Sequence, residues 1–447
     1  MDLTGKIGKI VSPLQNLIRD ETNSSYLLLI TTVSALVIAN SPLQSQYQSL
    51  LHIPIGFHID NWFFEKTFKH WVNDGLMALF FYTLGLEIKR ELLVGELKQI
   101  KRSFTVIAAA CGGMAVPAGI YIIFNIDAST IHGWGIPMAT DTAFAIGILM
   151  LLKNRVPVGL AAFLTALAII DDLGAIVVIA VFYTKTINIT ALVGAVGIFL
   201  LLMLINYAGI RRSSIYLTIG AVLWFMMEFS GVHSTIAGVL VALTVPARPE
   251  HSDNWVIERV EWLLHMLKIR REQQNTDTDV LANAKQHELM EQLEESAQKA
   301  TTPLKRQERS LERPVILFVL PIFALVNAGI PLNREIFSTL VTDSASWGII
   351  LGLVLGKPVG ITLCCWLSLK SGQGQLPDQI SLSHILGMAM LGGIGFTMSI
   401  FIAGLSFSED VMLISAKLSI FVASIISGIL GYVWLRYVTT GQQSTTN

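Results

Sequence analysis

The chain has 447 residues, 53% of them hydrophobic and only 14% charged, with a formal net charge of −1. A soluble domain carries about 25% charged residues, so this sequence is too poor in charge to cover itself with a water-compatible surface. The balanced charge, with no basic patch interleaved with aromatics, excludes a nucleic-acid partner.

The first two dozen residues are polar and carry no cleavable signal pattern, so the first apolar run, from about Ser25, is expected to stay in the protein. A membrane span needs about 20 mostly apolar residues to cross roughly 30 Å of hydrocarbon. Runs of that kind lie near 25–41, 71–86, 103–124, 134–152, 158–183, 190–209, 214–230, 232–246, 315–330, 345–369, 382–405 and 411–436. In lipid every backbone polar group must be paired within its own element, so these runs are helices. The alternating strands of about ten residues that mark a β-barrel do not appear. The expectation is an all-α membrane protein of about twelve transmembrane helices. Spans one to eight fall within 1–246, a charged insertion within 247–313, and spans nine to twelve within 314–447.

Orientation follows from Lys and Arg. With the N-terminus inside, the inner connections hold Lys89, Arg90, Lys98, Lys101, Arg102, Lys153, Arg155, Arg211, Arg212 and Lys370, besides those of the insertion. The outer ones hold only Lys66, Lys69, Lys185 and Arg334, so of 31 basic residues 25 fall inside, 4 outside and 2 within spans. That asymmetry predicts a multi-pass protein of the cell inner membrane with both termini cytoplasmic. In the insertion, the run Leu281 to Ala300 reads as helix with a weak apolar face of Leu289, Met290, Leu293 and Ala297. It is either a solvated segment or a regulatory or dimer-contact element. Cys111, Cys364 and Cys365 sit in apolar runs without ligand-like spacing, so they read as packing residues. No disulfide framework, structural metal site or cofactor is implied.

A charge at the bilayer centre costs at least about 2.5–3.5 kcal/mol on insertion scales, so ionisable residues inside spans are functional candidates. They are Asp74, Asp141, Asp171, Asp172, Lys357 and Lys417, with His233 near the start of span eight. Asp171 and Asp172 stand mid-span, and neighbours on a helix point about 100° apart, so both border one cavity. Two carboxylates in a low-dielectric cavity cannot both stay charged without a cation or a proton. Such a pair titrates as a unit and suits ion–proton exchange. The plainer reading is a buried pair bridged to a neighbouring Lys for stability alone, though buried charges stabilise poorly.

Asp141 follows Pro137 in Met138-Ala-Thr-Asp-Thr, a run of cap and turn formers that predicts an unwound break in span four. There Asp141 either caps the helix ends or contacts the ion. A second interruption, Leu391-Gly-Gly-Ile-Gly-Phe-Thr-Met-Ser399, falls in span eleven. Spans 3–5 and 10–12 thus form two triplets with interrupted middle members. That is the position expected of inverted-topology repeats whose broken helices cross at a transporter's binding site. Lys357 is mid-span and needs a partner; Asp171, Asp172 and the negative helix ends of the break are the candidates. It either forms a static pair or gives up its proton when a cation arrives. Lys417 lies nearer the outer end, within snorkelling reach of the interface.

Eight ordered blocks resemble the NhaA family of sodium/proton antiporters, from about residue 25 to 437 apart from about 249–302. They are His70–Ala78, Gly85–Leu92, Ala139–Phe144, Leu167–Ala175, Gly231–Gly238, Phe323–Gly329, Gly356–Gly360 and Gly393–Ile400. The resemblance implies exchange of two protons for one Na+ or Li+, activation by alkaline pH, and a homodimer in the lipid bilayer. It implies that Asp172 is the principal ion and proton carboxylate. Asp171 would be its partner, paired with Lys357 when the cation is absent, so that the two aspartates hold Na+ transiently. It implies that Thr140 and Asp141 form the break that tunes the site. Glu87, Glu91 and Glu308, with His233 a weaker member, would form a cytoplasmic pH-sensing cluster. Two features depart from the family: Arg309 and Glu312 stand where histidines are frequent before span nine, and the insertion is long.

Three other classes were weighed. A symporter of an organic substrate needs hydrogen-bonding or aromatic side chains around the carboxylates, but Ala, Ile, Leu and Gly surround Asp171 and Asp172. An intramembrane aspartyl protease needs a glycine-rich approach to a catalytic Asp, whereas Ala168-Ile-Ile precedes this pair and the glycine run 392–395 has no aspartate. A channel has no need of adjacent titratable carboxylates.

Overall fold

The structure is a computed structural model that describes residues 21–59, 62–95, 100–152, 155–184, 187–249, 253–273, 284–377 and 379–443. The polar first twenty residues, the loop lysines Lys98, Lys153 and Lys185, and the first three residues of the expected helix 281–300 lie outside the described residues.

The apolar runs fold as helices, in which each backbone group pairs within its own segment. They are α1 (Glu21–Ala39), α2 (Gln44–Leu51), α3 (Met77–Leu93), α4 (Ile100–Asn125), α5 (Thr142–Leu151), α6 (Val158–Phe182), α7 (Ile189–Tyr207), α8 (Ser213–Ser230) and α9 (Ile236–Thr244). Two polar helices follow, α10 (Asp253–Gln273) and α11 (Ala284–Ala300), packed on each other. Then come α12 (Pro303–Pro314), α13 (Leu320–Asn327), α14 (Arg334–Thr342), α15 (Ser344–Leu351), α16 (Lys357–Lys370), α17 (Leu382–Gly392), α18 (Phe396–Ser406) and α19 (Asp410–Gln443).

Among the described residues, seven helices are long and apolar enough to cross a membrane, or up to ten if each of three bent pairs is one span. Two expected spans fall short for visible reasons. α9 has only nine residues, and α3 carries Glu87, Lys89, Arg90 and Glu91 in its last turns. Helix was expected for 281–300, and α11 covers most of it; its partner α10 went unread. Nor did helical periodicity signal the antiparallel hairpin of β1 (Pro54–Ile59) and β2 (Trp62–Thr67), paired from Pro54↔Thr67 to Ile59↔Trp62.

Two π-helical turns, Val315–Val319 and Gly352–Gly356, each precede a proline, Pro321 and Pro358. Proline offers no N–H to the carbonyl four residues back and crowds it, so the preceding turn takes in an extra residue. The second bulge sets the direction of Lys357, the next residue along. α4 and α16 then approach backbone to backbone. A Cβ on Gly112 would lie 2.2 Å from the Gly360 carbonyl, and one on Gly360 would lie 2.1 Å from the Gly112 carbonyl. With lipid no less apolar than Leu, such close packing between small residues holds helices together. Gly348, Gly352, Gly356 and Gly360 recur every four residues along this face. The contact carries Lys357 to the neighbourhood of α6.

Candidate ion-binding site

Both breaks expected from the sequence are present. A 3-10 helix (Ser129–Met138) gives way at Ala139 to extended backbone before α5, with a bend of 42°, and α17 and α18 are separated by Gly393–Gly395 with a bend of 49°. The breaks touch. The Asp141 amide donates to the Ile394 carbonyl at 2.6 Å, and the Thr140 hydroxyl lies 3.0 Å from the Gly392 carbonyl.

Asp141 serves two helix N-termini at once. Its Oδ1 accepts from the Phe144 amide at 3.2 Å, capping α5. Its Oδ2 accepts from the Thr397 amide at 2.9 Å and the Thr397 hydroxyl at 2.6 Å, in the first turn of α18. A carboxylate there balances the partial positive charge, about half a unit, at each helix start. Asp141 is 2% exposed, and the Phe144 and Thr397 groups that meet it are hydrogen-bond donors from the two breaks. Of the two roles left open for it, the structure displays the capping one.

Asp171 and Asp172 lie mid-way along α6, 0% and 3% exposed. The Lys357 ammonium, itself 0% exposed, donates to Asp171 Oδ2 at 2.5 Å and to Thr140 Oγ1 at 2.8 Å. Thr140 Oγ1 also lies 3.0 Å from Asp171 Oδ2. Of the partners considered for Lys357, the structure joins it to Asp171. The remaining oxygens are less well served: Asp171 Oδ1 and Asp172 Oδ1 are buried with no hydrogen-bond partner among the described residues. A buried polar atom left unpaired costs about 1–3 kcal/mol, more if charged. A proton on one carboxyl or a cation between the two would each meet this need. Hard cations take oxygen ligands, and two free carboxylate oxygens beside the Thr140 hydroxyl suit one.

A second cluster gathers at the basic end of α3, beyond the apolar stretch 71–86. Arg90 contacts Glu308 at 2.7 Å, Glu91 at 2.8 Å and Glu87 at 3.9 Å. The structure thus brings together the three glutamates named from the sequence, around an arginine that was not. Burial pushes the Glu87 carboxyl up to about 7; Arg90 holds the rise back, while Glu308, Glu312 and Glu91 add to it. His233 does not belong to this group. Its Nε2 lies 2.8 Å from the Tyr183 carbonyl, and it lines a cavity of about 510 Å³ together with His70. His70 stands 17 residues before Glu87 along one continuous helical path, about 25 Å away at 1.5 Å per residue. Lys417, expected at the interface, is 7% exposed and lines the same cavity.

Three features of these sites escaped sequence reasoning. Thr397 lies within a motif read only as a glycine break, and its hydroxyl and amide, two residues past Gly395, both donate to Asp141 on the other break. Arg90 was read only as a loop charge. The network of Lys66, His70, Asp74 and Glu228 joins residues up to 162 positions apart, with Lys66 and His70 each 2.8 Å from Glu228 and His70 3.3 Å from Asp74. No local signal exists for it.

The sequence profile of the family described as Na+/H+ antiporter 1 matches residues 15–435. Na(+)/H(+) antiporter NhaA 1 of Saccharophagus degradans is 45% identical over 432 residues, covering 96% of this chain and 92% of that protein. Na(+)/H(+) antiporter NhaA 1 of Shewanella denitrificans is 45% identical over 429 residues, covering 96% and 94%. Na(+)/H(+) antiporter NhaA of Helicobacter pylori strain G27 is 43% identical over 426 residues, covering 94% of each chain.

Proposed function

The chain belongs to the Na+/H+ antiporter 1 family, and from that premise we propose that it moves sodium or lithium ions out of the cytoplasm in exchange for entering protons, at Asp171 and Asp172. The observation that carries the site is the buried Lys357–Asp171 pair at 2.5 Å beside a carboxylate oxygen of Asp172 that has no partner.

In the proton-loaded state Asp172 is a neutral acid and Asp171 pairs with the Lys357 ammonium, so the site is neutral. A sodium ion entering between the carboxylates competes with Lys357 for Asp171 Oδ2. Two carboxylates, one sodium ion and a neutral lysine sum to −1. Asp172 and Lys357 each release one proton in this exchange, giving two protons per sodium ion and one net charge moved per cycle. Exclusivity follows from the shared ligand: a sodium ion and the Lys357 ammonium are both cations competing for Asp171 Oδ2, and at low dielectric two cations on one carboxylate repel strongly.

The same reading takes the chain as twelve spans with the basic end cytoplasmic, counting the helix through α3 and the short α9 as spans. The triplets around the two breaks would then be inverted repeats, with the cluster around Arg90 setting the pH response. The charged segment 247–313 would lie in the cytoplasm, and a homodimer is the assembly we favour. Support comes from the bends at Ala139 and Gly393–Gly395 in corresponding positions and from the excess of Lys and Arg at one end.

The test uses inside-out vesicles from cells lacking other antiporters. A respiratory pH gradient is established, sodium chloride is added, and gradient collapse is followed between pH 6.5 and 9. Collapse with the native protein and none with Asp172→Asn, at equal membrane content, is the expected result. A native protein that inserts well and collapses the gradient at no pH overturns the proposal for sodium.

A further inference from the structure

The cavity of about 510 Å³ at the sparsely basic end is walled on one side by the helical turns 68–76 that lead into α3, together with α8, and on the other by α18 and α19. Its floor includes Ile400 and Phe401. Phe401 stands one helical turn past Thr397, the residue that binds Asp141. The Phe401 ring packs 5.6 Å from that of Phe81 and 6.3 Å from that of Phe323, which closes the floor. The cavity is thus the approach to the crossing from the outer side.

The charges on its walls are unequally served. Glu228 is held by Lys66 and His70, each at 2.8 Å, and Asp74 by His70 at 3.3 Å. Lys417, on the facing wall, has no carboxylate within 4.0 Å and no hydrogen bond among the described residues, yet it is only 7% exposed. The other charged or titratable groups around it are Lys69 and His233 in the same cavity and Asp410, an exposed residue seven positions earlier on α19. While it holds its proton, an amine so enclosed, with its acidic neighbours already paired, projects its charge into the cavity, where low-dielectric walls focus the field.

Resting on the antiporter reading, we propose that Lys417 is a specificity-determining residue: its charge repels sodium ions from the outer cavity, speeding their release and opposing their return. Protons are less hindered. They pass bound to a side chain of the opposite wall such as Asp74, whereas a sodium ion must occupy the cavity as a cation. Unit charges within about 10 Å, at an effective dielectric near 20, alter cation occupancy by roughly tenfold.

The experiment measures the apparent KM for sodium at each face, using right-side-out vesicles for the outer face and inside-out vesicles for the inner. Lys417→Met should lower the outer KM about tenfold and leave the inner KM unchanged, and Lys417→Arg should match the native protein. Leu413→Lys adds a charge one turn away on the same cavity wall and should raise the outer KM, which gives a readout even where Lys417→Met fails to insert. An outer KM unmoved by both Lys417→Met and Leu413→Lys overturns the proposal. So does a Lys417→Met change equal at the two faces, which would mark a structural role. Absence of exchange by the native protein at both faces would instead refute the antiporter reading itself.

Discussion

The most informative perturbation separates Lys357 from Asp171. Both groups are fully buried, and the ammonium sits 2.5 Å from Asp171 Oδ2 and 2.8 Å from Thr140 Oγ1. Removing one partner of such a pair leaves an uncompensated buried charge, which costs about 3–5 kcal/mol. Lys357→Met should destabilise by about that amount, toward the lower end because Thr140 still serves Asp171. Asp171→Asn should destabilise comparably by stranding the lysine. The double variant has no charge left to strand. Its loss should fall short of the sum of the single losses by about 0.5–3 kcal/mol, the usual range for contacting residues, and toward the upper end for a fully buried pair. The assay is unfolding of the purified protein in detergent at neutral pH without sodium, with all four proteins compared in one series. Strictly additive losses would refute the reasoning, since the two groups would then not depend on each other.

Two further outcomes follow from the geometry. Asp141→Ala removes an acceptor shared by the first turns of α5 and α18, and at about 1 kcal/mol per cap it should lower stability by about 2 kcal/mol. Asp141→Asn keeps an acceptor and should lose less, and equal losses in the same unfolding series would contradict the capping role. Glu87 binds its proton more tightly in the folded protein, up to about 7 against an ordinary 4.5. Its contribution to stability is therefore full below about 4.5 and is lost as pH rises from there through about 7. Glu87→Gln should flatten the pH dependence of unfolding between about 4.5 and 7, and that of gradient collapse around pH 7, and profiles that superimpose on the native ones would show that Glu87 does not titrate there.

The features legible in the sequence were those with a local physical cause. Apolar length announced the helices, and Pro137, Thr140 and the glycines at 392–395 announced the breaks. The scarcity of intramembrane charge singled out Asp171, Asp172 and Lys357. Choosing Asp171 over Asp172 as the partner of Lys357 came from the family resemblance alone, because it depends on a π turn before Pro358 and on the close approach of Gly112 to Gly360. Neither is a property of one segment. The β-hairpin between the first two apolar stretches was masked by helical expectations. The network from Lys66 to Glu228 depends on two elements meeting in space. His233 shows the same limit in reverse: its place in a motif suggested company with Glu87, while its helix end delivers it to the opposite cavity.

The crossing also explains why a break, rather than two intact helices, suits a site for a small cation. Interrupting two helices creates two N-terminal ends and two C-terminal ends in one buried place. Asp141 meets the N-terminal ends of α5 and α18. Thr140, bonded to Lys357, meets the C-terminal end of α17 at the Gly392 carbonyl. These three partial charges and the ionised Asp141 and Lys357 thus offset one another on neighbouring residues, leaving Oδ1 of Asp171 and Oδ1 of Asp172 without a hydrogen-bond partner among the described residues. A cation that binds there need not assemble its surroundings. It has only to compete with the Lys357 ammonium for the shared carboxylate. On the proposed reading that competition is the coupling itself: whatever weakens the lysine's hold on Asp171 favours sodium, and whatever strengthens it favours protons.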